Sequence, residues 1–131
     1  MLNVVSPLTA SEEQVVTEVV DCGFQVHSVL GPGFKERIYV QAFRLELHSR
    51  GLSFECEKSI DVRYKGWTIP GQRIDLLIGG LVVVEIKAVP KFIALHRKQV
   101  LSYLRTMNLH VGLLINFNSV YYKHAVKRVV L

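Results

Sequence analysis

Gln72-Arg73-Ile74-Asp75-Leu76-Leu77-Ile78-Gly79-Gly80-Leu81-Val82-Val83-Val84-Glu85-Ile86-Lys87 is two β-rich runs hinged at a glycine pair, the pattern of a hairpin. Its register decides which side chains meet. A loop of Gly79 and Gly80 alone would pair Ile78 with Leu81 and place every charge on a face shared with apolar neighbours. A three-residue loop that includes Leu81 pairs Ile78 with Val82, Leu76 with Val84 and Ile74 with Ile86, so one face becomes wholly aliphatic. A one-residue slip moves a strand's apolar set onto the wrong face, so the pattern selects the longer loop. A glycine in the left-handed conformation makes that loop accessible.

In this register Asp75 stands across from Glu85, with Lys87 two residues farther along on the same side. Carboxylates opposed at roughly 4.5–5.5 Å between Cβ atoms repel and destabilise a sheet. A hard divalent ion, which takes carboxylate and water oxygens at about 2.0–2.1 Å, turns that repulsion into a site. An aspartate followed by Glu-x-Lys on the next strand suits metal-assisted phosphodiester hydrolysis. There carboxylates hold the metal, the metal acidifies a water, and the lysine steadies negative charge. The competing reading of Glu-x-Lys is a solvated ion pair worth under about 1 kcal/mol.

The 131 residues suit one domain with its own core (residues 1–131, the first ten a short lead), and half of them are apolar. A net charge of +5 fits a polyanionic partner better than an acidic one. Cys22 and Cys56 lack metal-ligand spacing and read as buried thiols in a reducing compartment, with no disulfide. No apolar run approaches the ~20 residues of a membrane span, and the start lacks the pattern of a secretory leader. These features imply a cytoplasmic protein with no membrane partner.

Ser11-Glu12-Glu13-Gln14 resembles a capping box that opens a first helix, whose apolar side runs from Val15 to Leu30. Gly31-Pro32-Gly33 turns the chain. A second helix is expected from Phe34 to Ser49 with two apolar stripes, one of Phe34, Ile38, Ala42 and Leu45, the other of Tyr39, Val40, Phe43 and Leu47. Such a helix is sandwiched. Glu36 falls within the second stripe, where an acid costs free energy unless partnered; alternatively it bonds exposed first-turn amides. Ser53–Ser59 reads as a strand, and Ile60–Ile69 as a further strand and turn around Lys65-Gly66. Asp61 is a rival acid but lies among Lys58, Arg63 and Lys65, as on an exposed edge.

Pro90 stops the strand after Lys87, and a helix is expected from Lys91 to Met107 with Phe92, Ile93, Val100, Tyr103, Leu104 and Met107 inward. His96 and Gln99 lie in or beside that stripe, close enough in sequence to Glu-x-Lys to serve a site. For His96 a core-edge histidine bonded to a carbonyl is the stronger reading. His110–Asn116 reads as a strand buried on both faces. The tail from Val120 to Leu131 suits a strand or a short helix. Its Lys123, His124, Lys127 and Arg128 form a basic cluster suited to phosphates, or a solvated face.

Gly33-x-x-Glu36-x-x-Tyr39, Arg73-Ile74-Asp75-Leu76-Leu77, Val84-Glu85-Ile86-Lys87-Ala88 and Gly112-Leu113-Leu114-Ile115-Asn116-Phe117 follow in this order. Together they resemble the GxxExxY proteins, a branch of the PD-(D/E)xK nuclease superfamily, over roughly Ser11 to Leu131. The resemblance implies an α+β, restriction-endonuclease-like core with a central mixed sheet flanked by helices, in the order α-α-β-β-β-β-α-β before the tail. It implies that Asp75 and Glu85 ligate Mg²⁺ or Mn²⁺ with the carbonyl of Ile86, that Lys87 orients or activates the water, and that Glu36 completes the site. Gln99 and Tyr103 take supporting roles. The residue usually written as proline before the aspartate is Ile74 here.

These readings make the chain a metal-dependent nuclease acting on DNA ahead of RNA, with Lys123, Lys127 and Arg128 on the nucleic acid. A binding or assembly module that keeps the fold without turnover is the alternative from another class, and a hydrolase of smaller phosphate esters is a third. Exposed strand edges in so small a chain also suit a homodimer.

Overall fold

The computed structural model describes residues 6–131; the first five residues of the expected N-terminal lead lie outside the described residues. In it β2 (Trp67–Ile78) and β3 (Val82–Lys87) form the hairpin, pairing Ile78 with Val82, Leu77 with Val83 and Leu76 with Val84. Gly79 and Gly80 hold φ of 61° and 68°. The three-residue loop selected by the aliphatic pattern is the one that forms. Its ladder ends at Leu76 and Val84. The expected pairing of Ile74 with Ile86 is replaced, because the Ile86 amide donates to the Asp75 carboxylate.

Before the hairpin come α1 (Ala10–Leu30), α2 (Glu36–Ser49) and β1 (Phe54–Tyr64); after it come α3 (Ala94–Met107), β4 (Val111–Asn116), a short 3-10 turn (Tyr122–His124) and β5 (Val126–Val130). The chain is α+β, as expected of a restriction-endonuclease-like fold. Its sheet runs in the order β1-β2-β3-β4-β5. Neighbours are antiparallel except β3 and β4, which lie parallel and are joined through α3, since a parallel pair needs a crossover. On one face Val16 and Val19 of α1 and Phe43 and Leu47 of α2 pack over Leu76, Ile78, Val84 and Ile86. On the other, Val100, Tyr103 and Leu104 of α3 pack over Leu77, Val83 and Leu114.

Several elements differ from expectation. Three strands precede α3 instead of four, because Phe54–Tyr64 and Trp67–Ile78 are each continuous. The register slips between Ile60 and Val62, and Pro70 lies in the skipped stretch of β2, where no ladder N–H is missing. Lys65 and Gly66 form the turn with φ of 47° and 84°, the doubly positive geometry of a tight hairpin.

The first helix is capped by Thr9 in place of Ser11: Thr9 Oγ1 accepts from the Glu12 amide at 3.1 Å, and Glu12 Oε1 accepts from the Thr9 amide at 2.8 Å. Only the Tyr39, Val40, Phe43 and Leu47 stripe of α2 is buried; Phe34, Ile38 and Leu45 are exposed, because α1 and the sheet cover one side alone. The helix is not sandwiched. α3 starts at Ala94, leaving Ile93 exposed as its N-cap. Ile74 leaves the aliphatic face of the hairpin and packs with Ile60 in the α3 cluster. Both cysteines are free thiols, but only Cys22 is fully buried.

Candidate active site

The site lies where β2 and β3 part. Asp75 Oδ2 accepts from the Ile86 amide at 2.8 Å. Glu85, only 5% exposed, holds Oε2 at 3.7 Å from Lys87 Nζ. Its Oε1 is buried without a hydrogen-bond partner. Burial pushes the Glu85 carboxyl up to about 8; the neighbouring Asp75 adds to the rise and Lys87 opposes it. Tyr103 of α3 stands beside this pair, its hydroxyl pushed up to about 12 by burial and then by the charges of Glu85 and Asp75. Gln99, four residues earlier on the same side of α3, carries a second buried and unpartnered oxygen, Oε1.

His96 behaves differently from the carbonyl-bonded histidine expected. Its Nδ1 accepts from the Ile93 amide at 3.2 Å, so it satisfies a free donor at the helix start. Burial and then Lys87 lower its pKa.

Glu36 approaches from the opposite side. It is the first residue of α2 and is exposed, outside the packed stripe where the sequence placed it. The surrounding protein raises its pKa first by desolvation and then through Asp75, against the pull of Lys87. The spacing Gly33-x-x-Glu36-x-x-Tyr39 has a local reason. Gly33 takes φ of 110°, which suits glycine. One helical turn after Glu36, the fully buried Tyr39 donates its hydroxyl to the Gly31 carbonyl at 2.6 Å and accepts from the Phe34 amide at 3.0 Å. Its ring stacks on Phe117 at 4.8 Å and 8°. The loop that delivers Glu36 is strapped to the core.

A cavity of about 260 Å³ between α2 and the sheet is lined by Glu36, Arg37, Gln41, Glu57 and Asp75. Glu57 was not anticipated. It lies between the pairs Cys56↔Leu76 and Lys58↔Ile74, hence opposite Asp75, and takes φ of 50°. Counting back from the Lys65-Gly66 turn sets Glu57 opposite Ile74, and only the register slip between Ile60 and Val62 moves it to the level of Asp75.

The expected basic cluster separates. Lys127 lines another cavity, of about 310 Å³, with Lys91, Asn116 and His124. Arg128 is bound to Glu13 at 2.8 and 3.1 Å, and Lys123 lies over the Tyr121 ring. Adjacent residues of a strand point to opposite faces, so Lys127 and Arg128 do not share a partner.

Among the described residues no three His, Cys, Asp or Glu side chains gather closely enough to enclose an ion. Asp75 and Glu85 nevertheless suit a divalent cation: one acid is buried with an orphaned oxygen, and its charged form is disfavoured by the other. A cation satisfies the first and offsets the second.

A family model described as the PD-(D/E)XK nuclease superfamily matches residues 13–129. No curated protein sequence matches. The solved structure titled "Crystal structure of SSO0001" superposes with a TM-score of 0.51 at 18% identity, covering 92% of this chain and 61% of that one. That likeness is one of fold, and the chain spans about 61% of the length of that structure. No helix of the described residues is long and apolar enough to cross a membrane.

Proposed function

The chain belongs to the PD-(D/E)XK nuclease superfamily, and from that premise we propose that it hydrolyses nucleic-acid phosphodiester bonds at Asp75, Glu85 and Lys87. The orphaned Oε1 of Glu85, buried beside a second acid and an ammonium, carries this reading. Nucleases of this superfamily typically use divalent metals. Mg²⁺ or Mn²⁺, when bound, supplies Lewis acidity toward water and the phosphoryl oxygens.

Asp75 and Glu85 would hold the ion, with the Ile86 carbonyl and Glu36 as further oxygen donors. Lys87 keeps its ammonium at the site through Glu85 and would steady charge developing on phosphate oxygens. Glu36, at the open side, would receive and orient the incoming water. Gln99 would support Glu85 from α3. Tyr39, by bonding back to Gly31 and Phe34, gives a physical reason for the Gly33, Glu36 and Tyr39 pattern and supports placing the chain in the GxxExxY branch. DNA is the first substrate to test, and Lys127 is the outlying cation best placed for its phosphates. The free thiols suit a reducing cytoplasm.

The test is cleavage of mixed DNA and RNA with Mn²⁺ or Mg²⁺. Cleavage abolished by Lys87→Ala and Asp75→Asn in folded protein supports the proposal, and cleavage indifferent to both rejects it. Salt-sensitive binding without turnover would assign the chain to the alternative class, a binding module on a nuclease fold.

A further inference from the structure

Beyond the level of Asp75, β1 and β2 continue as an arm that ends at the Lys65-Gly66 turn. Val62 pairs with Ile69 and Tyr64 with Trp67. Cross-strand partners share a face, as do residues two apart along a strand, so these four side chains form one continuous apolar surface. All four are exposed, Tyr64 by 57% and Trp67 by 74%. Arg63, Lys65 and Arg73 lie on the same arm with one acid, Asp61. None of the three cations has a carboxylate partner among the described residues. Lys65 Nζ lies 5.6 Å from the centre of the Tyr64 ring.

Flat aromatic faces with an unpaired cation at the adjoining turn match a chain of bases and phosphates. We propose that the arm is a stacking platform for unpaired bases of the nucleic acid presented to the Asp75 site, with Lys65, at the turn, on its phosphates. This rests on the functional reading above and narrows it to substrates with a single-stranded segment. Asp75 and Trp67 are on the same strand, eight residues apart, a reach of roughly 26 Å. A single strand that bridges the site and the platform must span that distance. Every base offers a π-face, so stacking needs no particular sequence. A paired duplex would first have to be opened, at a free-energy cost that an already unpaired base escapes.

Trp67 is the only tryptophan in the chain, so its emission reports on the arm directly. The experiment titrates the full chain carrying Lys87→Ala, in Mg²⁺, with a labelled oligonucleotide either single-stranded or as a blunt duplex of the same sequence. Trp67 fluorescence and oligonucleotide anisotropy are read together. Single strands should quench Trp67 at the concentrations that raise anisotropy, bind about tenfold or more tighter than the duplex, and lose affinity as salt rises. Tyr64→Ala should weaken binding roughly 5- to 150-fold, the range for one stacked base, with the circular dichroism unchanged. Anisotropy that rises while Trp67 emission stays constant overturns the arm and leaves the nuclease reading standing. Equal or tighter duplex binding also overturns it, as does a Trp67 shift that depends on protein concentration without oligonucleotide, which would assign the surface to a second copy. Absence of both binding and cleavage by the unsubstituted chain removes the functional reading and this inference with it.

Discussion

Asp75 Oδ2 takes the place of a main-chain acceptor for the Ile86 amide, at 2.8 Å, where the β2–β3 ladder ends. The same side chain thus closes a gap in the sheet and faces the cavity beneath α2. Its two roles separate by substitution. Asp75→Ala should cost about 1–3 kcal/mol, because a part-buried amide loses its partner. Asp75→Asn keeps an acceptor oxygen and should stay within about 1 kcal/mol of the parent. Both should lose Mn²⁺-dependent cleavage by about 100-fold or more. Urea denaturation and cleavage assays on the two variants check this.

Glu85 gives a pH dependence whose sign is fixed by its environment. Its carboxyl rises from 4.5 to about 8 in the folded chain, through burial and then Asp75. Between those values the folded state holds a proton that the unfolded state has released, so stability without metal should fall as pH rises through the window. Glu85→Gln should flatten the decline. A cation must displace the same proton, so Mn²⁺ affinity should climb with pH up to about 8. Thermal melts in chelator check the first part, and calorimetric titration in two buffers of different ionisation enthalpy checks the second.

Tyr39→Phe removes one hydroxyl and leaves two groups unpaired, the Gly31 carbonyl and the Phe34 amide. A loss of about 1–3 kcal/mol is expected, with the ring stack on Phe117 retained. Because the loop delivers Glu36, cleavage should fall more than stability alone accounts for. Chemical denaturation and kcat at saturating substrate, on protein shown to be folded, make the comparison.

Gly112 sets how closely α3 approaches the sheet. A Cβ there would come within 2.5 Å of Val100 Cγ1 and 3.2 Å of the Val83 carbonyl oxygen. Gly112→Ala should therefore cost about 1–3 kcal/mol by overpacking. Val100→Ala removes the side-chain obstacle, so the double variant should be more stable than the sum of the two single losses implies. A double-mutant cycle of unfolding free energies tests it.

The hairpin register was legible because apolar residues on one face admit only one loop length, and the cores over both sheet faces followed from period. The Glu57–Asp75 level was not legible. Residue type does not announce that Glu57 takes φ of 50° within β1, and Ile60 and Ile74 pack beneath α3 while Cys56 and Leu76, of the same parity, pack beneath α1 and α2. Which of the two α2 stripes is buried depends on what lies across from it, information that amphipathicity alone lacks. A tail that suits either strand or helix leaves Arg128 beside Lys127; the strand that forms turns them to opposite faces. At the site, sequence spacing brought Asp75, Glu85 and Lys87 together, but the approach of Glu36 depends on the tertiary seat of Tyr39.

The sheet's spatial order repeats its order along the chain, and this bears on how the acids come to be neighbours during folding. β1, β2 and β3 are joined by short turns, and hairpins close in about 1–10 µs, whereas the parallel β4 must wait for α3. We expect Asp75 and Glu85 to meet while water still solvates both, with desolvation deferred until α3 docks. Truncations at Leu76 or Val84 should then slow refolding and truncation at Val100 should chiefly hasten unfolding; stopped-flow kinetics giving the reverse pattern would discard this sequence of events.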